Sequence, residues 1–170
     1  TAGKQYQNYP SACAAGVYGN SYVTVEQSSG LCSVLCPAGH VCGASATVTP
    51  VPCERGSYCR EGSSAARPCP SGSFGNMTGL ISADACHVCP VGSACGIGAT
   101  APVACTPGTF SDNSSSAACT VCPELTYQPS TGSTGCLDCG EGYHCPPGSS
   151  ARIPASCNEG TYLPKGRGFA

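Results

Sequence analysis

No stretch of this chain sustains the 3.6-residue apolar spacing of an amphipathic helix, and apolar/polar alternation survives only in fragments such as Tyr22-Val23-Thr24-Val25 and Ala46-Thr47-Val48-Thr49. The pattern predicts strands of two to four residues, turns and irregular loops, with little or no helix. Such short elements cannot each bury a face of their own, so whatever orders them must recur along the chain.

What recurs is Cys-x-x-Gly, at intervals of 16 to 23 residues. The openers are Cys13, Cys36, Cys53, Cys69, Cys89, Cys105, Cys139 and Cys157, with Cys122 as a variant that carries Leu125 in place of the glycine. Five residues after the opener an aromatic usually stands, as at Tyr18, Tyr58, Phe74, Phe110, Tyr127 and Tyr162. A fixed period of this size means one small unit stacked many times, each leaning on its neighbours, and so predicts an elongated rod of small disulfide-rich repeats. Residues 1–12 form a polar lead bearing Tyr6 and Tyr9, residues 13–156 carry the tandem repeats, and residues 157–170 begin a further repeat that does not close. No domain boundary is legible.

The opener is followed by turn chemistry, Pro37-Ala38-Gly39, Pro70-Ser71-Gly72, Pro90-Val91-Gly92 and Thr106-Pro107-Gly108, in which proline presets φ and glycine takes a positive φ. This predicts a sharp turn that points the aromatic back over a bridge. Every opener before Cys157 has one further cysteine ahead of the next opener. Pairing in sequence order is therefore expected: Cys13–Cys32, Cys36–Cys42, Cys53–Cys59, Cys69–Cys86, Cys89–Cys95, Cys105–Cys119, Cys122–Cys136 and Cys139–Cys145, leaving Cys157 unpaired or intermolecular. For the short units a crossed alternative, Cys36–Cys53 with Cys42–Cys59, stays open.

Composition explains why cysteine carries the fold. Leu, Ile, Val and Phe together number 23 of 170 residues and Trp is absent, whereas there are 17 Cys, 23 Gly and 15 Pro. A conventional core is out of reach, and disulfides substitute for buried apolar area in oxidising compartments. At these loop lengths each bridge stabilises by about 2–3 kcal/mol. The expected localisation is secreted, extracellular or cell-surface. With 7 basic and 9 acidic residues and a net charge of −2, nucleic acid is a poor partner, and no stretch has the length of a membrane span.

Candidate chemistry is sparse. Cys119, Cys122, Cys136 and Cys139 come close to zinc-ribbon spacing, yet both Cys-x-x-Cys pairs fall where one unit ends and the next begins, so the period already accounts for them. Cys86 and Cys89 lack the βαβ context of a redox pair. His40, His87 and His144 have no clustered carboxylates beside them, and no catalytic order of nucleophile, base and acid is present; no metal, cofactor or enzymatic activity is expected. Asn76-Met77-Thr78 and Asn113-Ser114-Ser115 are acceptors for N-linked glycans inside long loops.

The runs from Cys105 through Phe110 to Cys119, Cys122 and Pro123, and from Cys69 through Phe74 to Cys86, Cys89 and Gly92, resemble the ephrin-receptor-like cysteine-rich repeat. The resemblance covers nearly all of residues 13–162. It departs at Leu125, at the three-residue spacer between Cys32 and Cys36, and at the early closers of the short units. It implies extracellular repeat proteins: animal receptor ectodomains, or the large surface and flagellar-hair (mastigoneme) proteins of algae and protists, which the low charge and Ala/Ser/Thr/Gly richness resemble more. The function so implied is structural, as a subunit or segment of a glycosylated filament, flagellar hair or surface coat formed by self-association or within a longer polymer. The alternative is a receptor-like ectodomain whose repeats act as a spacer or protein-binding module.

Overall fold

A computed structural model describes residues 14–18, 34–44, 47 and 49–155. The chain falls into two compact units, one made of Thr1–Cys69 and Gly75–His87, the other of Pro70–Phe74 and Val88–Ala170. The division runs through the repeat that opens at Cys69, assigning its turn to the second unit and its long loop to the first. No linker or shift in composition marks the place.

The strands are two residues long: β1 Val17–Tyr18, β2 Val34–Leu35, β3 His40–Val41, β4 Val51–Pro52, β5 Ser57–Tyr58, β6 Arg67–Pro68, β7 Ser73–Phe74, β8 His87–Val88, β9 Ser93–Ala94, β10 Val103–Ala104, β11 Thr109–Phe110, β12 Thr120–Val121, β13 Thr126–Tyr127, β14 Leu137–Asp138, β15 Tyr143–His144 and β16 Ile153–Pro154. Among the described residues, consecutive strands pair into eight two-stranded sheets. In the antiparallel pair β13–β14, Thr126 faces Asp138 and Tyr127 faces Leu137. The helical element among the described residues is a single 3-10 turn, Ala83–Ala85. The chain is thus a tandem of small disulfide-rich repeats built from strands and turns.

Each hairpin is launched by a type II turn. In the repeat opening at Cys36 the His40 amide donates to the Pro37 carbonyl at 3.1 Å, and Gly39, the third residue of the turn, has φ +81°. That position demands positive φ, which glycine adopts without a Cβ clash. Proline opens this turn and those at Pro70 and Pro90, contributing a carbonyl that accepts the closing bond; only Pro107 occupies the second position, where a preset φ is useful.

Backbone hydrogen bonds join each repeat to the next, and they are the same bonds at different places. In the first unit the Gly39 amide donates to the Cys59 carbonyl at 2.8 Å and Cys53 to Gly39 at 2.9 Å, while Gly62 donates to Cys36 at 2.8 Å and Cys42 to Ser63 at 3.0 Å. In the second unit the equivalent bonds are Gly108 to Gln128 at 2.7 Å, Cys122 to Gly108 at 2.9 Å, Gly132 to Cys105 at 2.8 Å and Ser111 to Ser133 at 3.0 Å. Repetition of one bonding step satisfies backbone groups that two-residue sheets alone would leave unpaired.

The interior is sulfur. Among the described residues the buried apolar side chains are cysteines and Leu80. Leu80 packs with Cys69 and Cys86, and Tyr58 and Ala85 lie against that cluster. The aromatic of the repeat opening at Cys53 therefore rests on the bridge of the following repeat, Cys69–Cys86, and not on its own.

Candidate functional site

The structure joins Cys36 to Cys42, Cys53 to Cys59, Cys89 to Cys95 and Cys139 to Cys145, each over a separation of 6 residues. It joins Cys69 to Cys86 over 17 residues, and Cys105 to Cys119 and Cys122 to Cys136 over 14. Cα–Cα distances run from 5.6 Å (Cys105–Cys119) to 6.1 Å (Cys53–Cys59), inside the range a bridge spans without backbone movement. The crossed alternative does not occur: Cys36 is bonded to Cys42 and Cys53 to Cys59. A six-residue separation is closable because the turn and two-residue strand bring the chain back over its opener. Cys13–Cys32 lies outside the described residues.

One position, six residues after the opener, decides whether a repeat is short or long. In short repeats it is the closing cysteine, as at Cys59 or Cys95; in long repeats it is Gly75, Ser111 or Gln128. All of these carbonyls accept the turn amide of the preceding repeat: Gly56 donates to Gly75 at 2.9 Å, Gly92 to Ser111 at 2.8 Å and Gly108 to Gln128 at 2.7 Å. Ser111 and Gln128 are 2% and 7% exposed. Their side chains are satisfied locally: Ser111 Oγ donates to Ser116 Oγ at 2.7 Å, Gln128 Nε2 to the Gly135 carbonyl at 2.5 Å, and the Ser130 amide to Gln128 Oε1 at 3.0 Å. Polar clips inside a longer loop thus take the place that sulfur fills in the short repeats. Sequence inspection passes over both residues; the signal is their register with Cys42, Cys59, Cys95 and Cys145.

Leu125 holds the glycine's place in its turn at φ +65°, with the Thr126 amide donating to the Pro123 carbonyl at 3.2 Å, so the variant opener folds like the others. Elsewhere glycine is needed twice over. A Cβ on Gly39, Gly92 or Gly108 would overlap the carbonyl oxygen of Gly79, Gly132 or Gly148 respectively, two repeats further on. On Gly142 a Cβ meets nothing within 4 Å.

Each opener amide from Cys36 to Cys122 donates to a turn-glycine carbonyl, and Cys139 donates to that of Leu125; after β16 the residue in this role is Ala155, which donates to Gly142 at 2.9 Å. The opener position is therefore held by Ala155, and Cys157, two residues later, lies outside the described residues, as do residues 1–12.

The zinc-like set is divided among three bridges, Cys105–Cys119, Cys122–Cys136 and Cys139–Cys145. Among the described residues no group of three or more His, Cys, Asp or Glu side chains is placed to hold a metal ion. His40 Nδ1 lies 3.3 Å from the Ala38 carbonyl; His87 is exposed and His144 half-buried. Asn76 and Asn113 are both exposed. Asn113 Nδ2 donates to Asp112 Oδ1 at 2.7 Å, and its carbonyl accepts from Ser116 Oγ at 2.9 Å. Arg152 stacks over the rings of Tyr127 and Tyr143, 5.5 and 4.5 Å from their centroids, a cation–π sandwich spanning two repeats.

Comparison with known protein families finds no match for this chain, and none of the curated proteins it was compared with is similar to it. The class defined by the fold itself is a disulfide-rich tandem-repeat protein. No helix among the described residues is long and apolar enough to cross a membrane, and the seven disulfides among them fit an oxidising, secreted or extracellular setting.

Proposed function

We propose that this chain is a structural segment of an extracellular assembly: a filament, flagellar hair or surface coat of glycosylated cysteine-rich repeats, similar in kind to the ephrin-receptor-like repeats of algal and protist surface proteins. The observation that carries this reading is the bonding step itself. The same four backbone bonds join one repeat to the next in both units, an arrangement that extends by repetition and converges on no single centre. Proteins built this way use length and surface as their working parts.

Exposed Asn76 and Asn113 are the expected glycan acceptors, each on the long loop of its repeat. Cys157, left over when the other cysteines pair in sequence order, is the expected covalent link to the next segment or to a neighbouring copy. The chain secreted from a eukaryotic host and run without reductant is expected to give disulfide-linked oligomers that Cys157→Ser abolishes, and a mass that falls on enzymatic removal of N-glycans. Identical monomeric bands for the wild type and Cys157→Ser would remove the covalent link from the account.

A further inference from the structure

We propose that the second strands of the second unit form an interface that binds a second copy of this chain, side against side. First strands such as β9, β11 and β13 are half-buried, whereas both residues of every second strand are exposed. Those exposed positions are not generally polar. Of the 14 large apolar side chains exposed among the described residues, 8 lie on second strands: Val34, Val51, Val103, Leu137 and Ile153 at the first position of their strands, and Leu35, Val88 and Val121 at the second, which faces the other way.

In the second unit Val103, Leu137 and Ile153 are 68%, 49% and 51% exposed. Each is the cross-strand partner of the residue five after its opener: Ala94, Tyr127 and His144. Because one bonding step relates each repeat to the next, this position recurs along that unit, held in turn by Val103, Thr120, Leu137 and Ile153, with Thr120 opposite Phe110. Val34 and Val51 hold the same register in the first unit, opposite Tyr18 and Val41.

A second copy is the occupant for two reasons. A position that recurs once per repeat, aliphatic at three of its four places and Thr120 at the other, is matched in register by a partner with that same spacing, and another copy of the chain carries it by construction. The second strands are also nearly free of formal charge, Arg67 and Asp138 being the exceptions, so two such rows meet without like-charge repulsion. A lipid surface would be favoured by several basic residues beside the apolar ones, whereas here there is one, Arg152 before Ile153, and its guanidinium lies over the rings of Tyr127 and Tyr143.

The proposal deepens the structural reading above and rests on it. The test is sedimentation velocity of the oxidised full chain across the micromolar range, with non-reducing peptide maps as the check on folding. Wild type is expected to show reversible, concentration-dependent self-association. Combining Val103→Ser, Leu137→Ser and Ile153→Ser is expected to weaken it about tenfold or more, and the gentler, β-branched pair Val103→Thr with Ile153→Thr to weaken it in part. Val91→Ser with Ile97→Ser, exposed positions off the second strands, is expected to leave it unchanged. A wild-type chain that stays monomeric, or equal losses in strand and control variants, would overturn the interface. So would a monomeric chain that floats with phosphatidylcholine vesicles in a strand-dependent way. Filaments seen in native material alongside any of these results would refute the interface and leave the structural reading standing.

Discussion

Gly108 and Gly142 sit at the same point of the same turn, at φ +86° and +80°, yet their surroundings differ. A Cβ on Gly142 meets open space, whereas one on Gly108 runs into the Gly148 carbonyl. Gly142→Ala is expected to cost about 1–2 kcal/mol, the left-handed penalty alone. Gly108→Ala adds a backbone overlap and is expected to cost about 3–4 kcal/mol, with the difference read as a lower denaturation midpoint for the oxidised chain. A second residue-scale prediction concerns the clips: Gln128→Ala leaves the Gly135 carbonyl and Ser130 amide without their partner and is expected to cost about 1–3 kcal/mol in the same measurement. The turn glycines were legible from their spacing, because positive φ is a local demand. The two-repeat contact was not, since it depends on how repeats stack, and the buried roles of Ser111 and Gln128 were hidden because both residue types are ordinarily solvated.

At the scale of the element, the disulfides close each repeat on itself. Replacing Cys122 and Cys136 together by Ser is expected to cost about 3 kcal/mol, the loop entropy of a bridge of this length. Unreduced peptide maps should still recover the other six pairs that the described residues show. Reshuffling of those pairs, or zinc or free thiols at Cys119 and Cys139, would contradict the closed-repeat scheme. Strand existence was legible in the sequence, but strand position was only partly so. In the alternating fragment at Ala46 to Thr49, Thr47 forms a bridge to Tyr18, and Ala46 and Val48 lie outside the described residues. Pairing falls instead on the two residues before each opener, among them Val51–Pro52, Arg67–Pro68 and Ile153–Pro154. Proline counts against a strand in sequence reading, yet in a two-stranded sheet its missing N–H can face away from the partner.

At the scale of the whole molecule the account rests on sulfur and repetition. Reductant is expected to abolish the fold, because among the described residues Leu80 is the one buried apolar side chain besides the cysteines; chelators are expected to leave it intact, as circular dichroism and protease resistance would report. The division into two units was not legible, since it passes through a repeat whose composition matches its neighbours. The central claim, that the chain works as a segment of an extracellular assembly, is tested most directly by electron microscopy of native material carrying an antibody label against this chain. Label recurring at a fixed spacing along filaments or a surface layer is the expected result. Label on isolated monomers, each holding a partner protein midway along the repeats, would contradict it and assign the repeats to a receptor-like ectodomain.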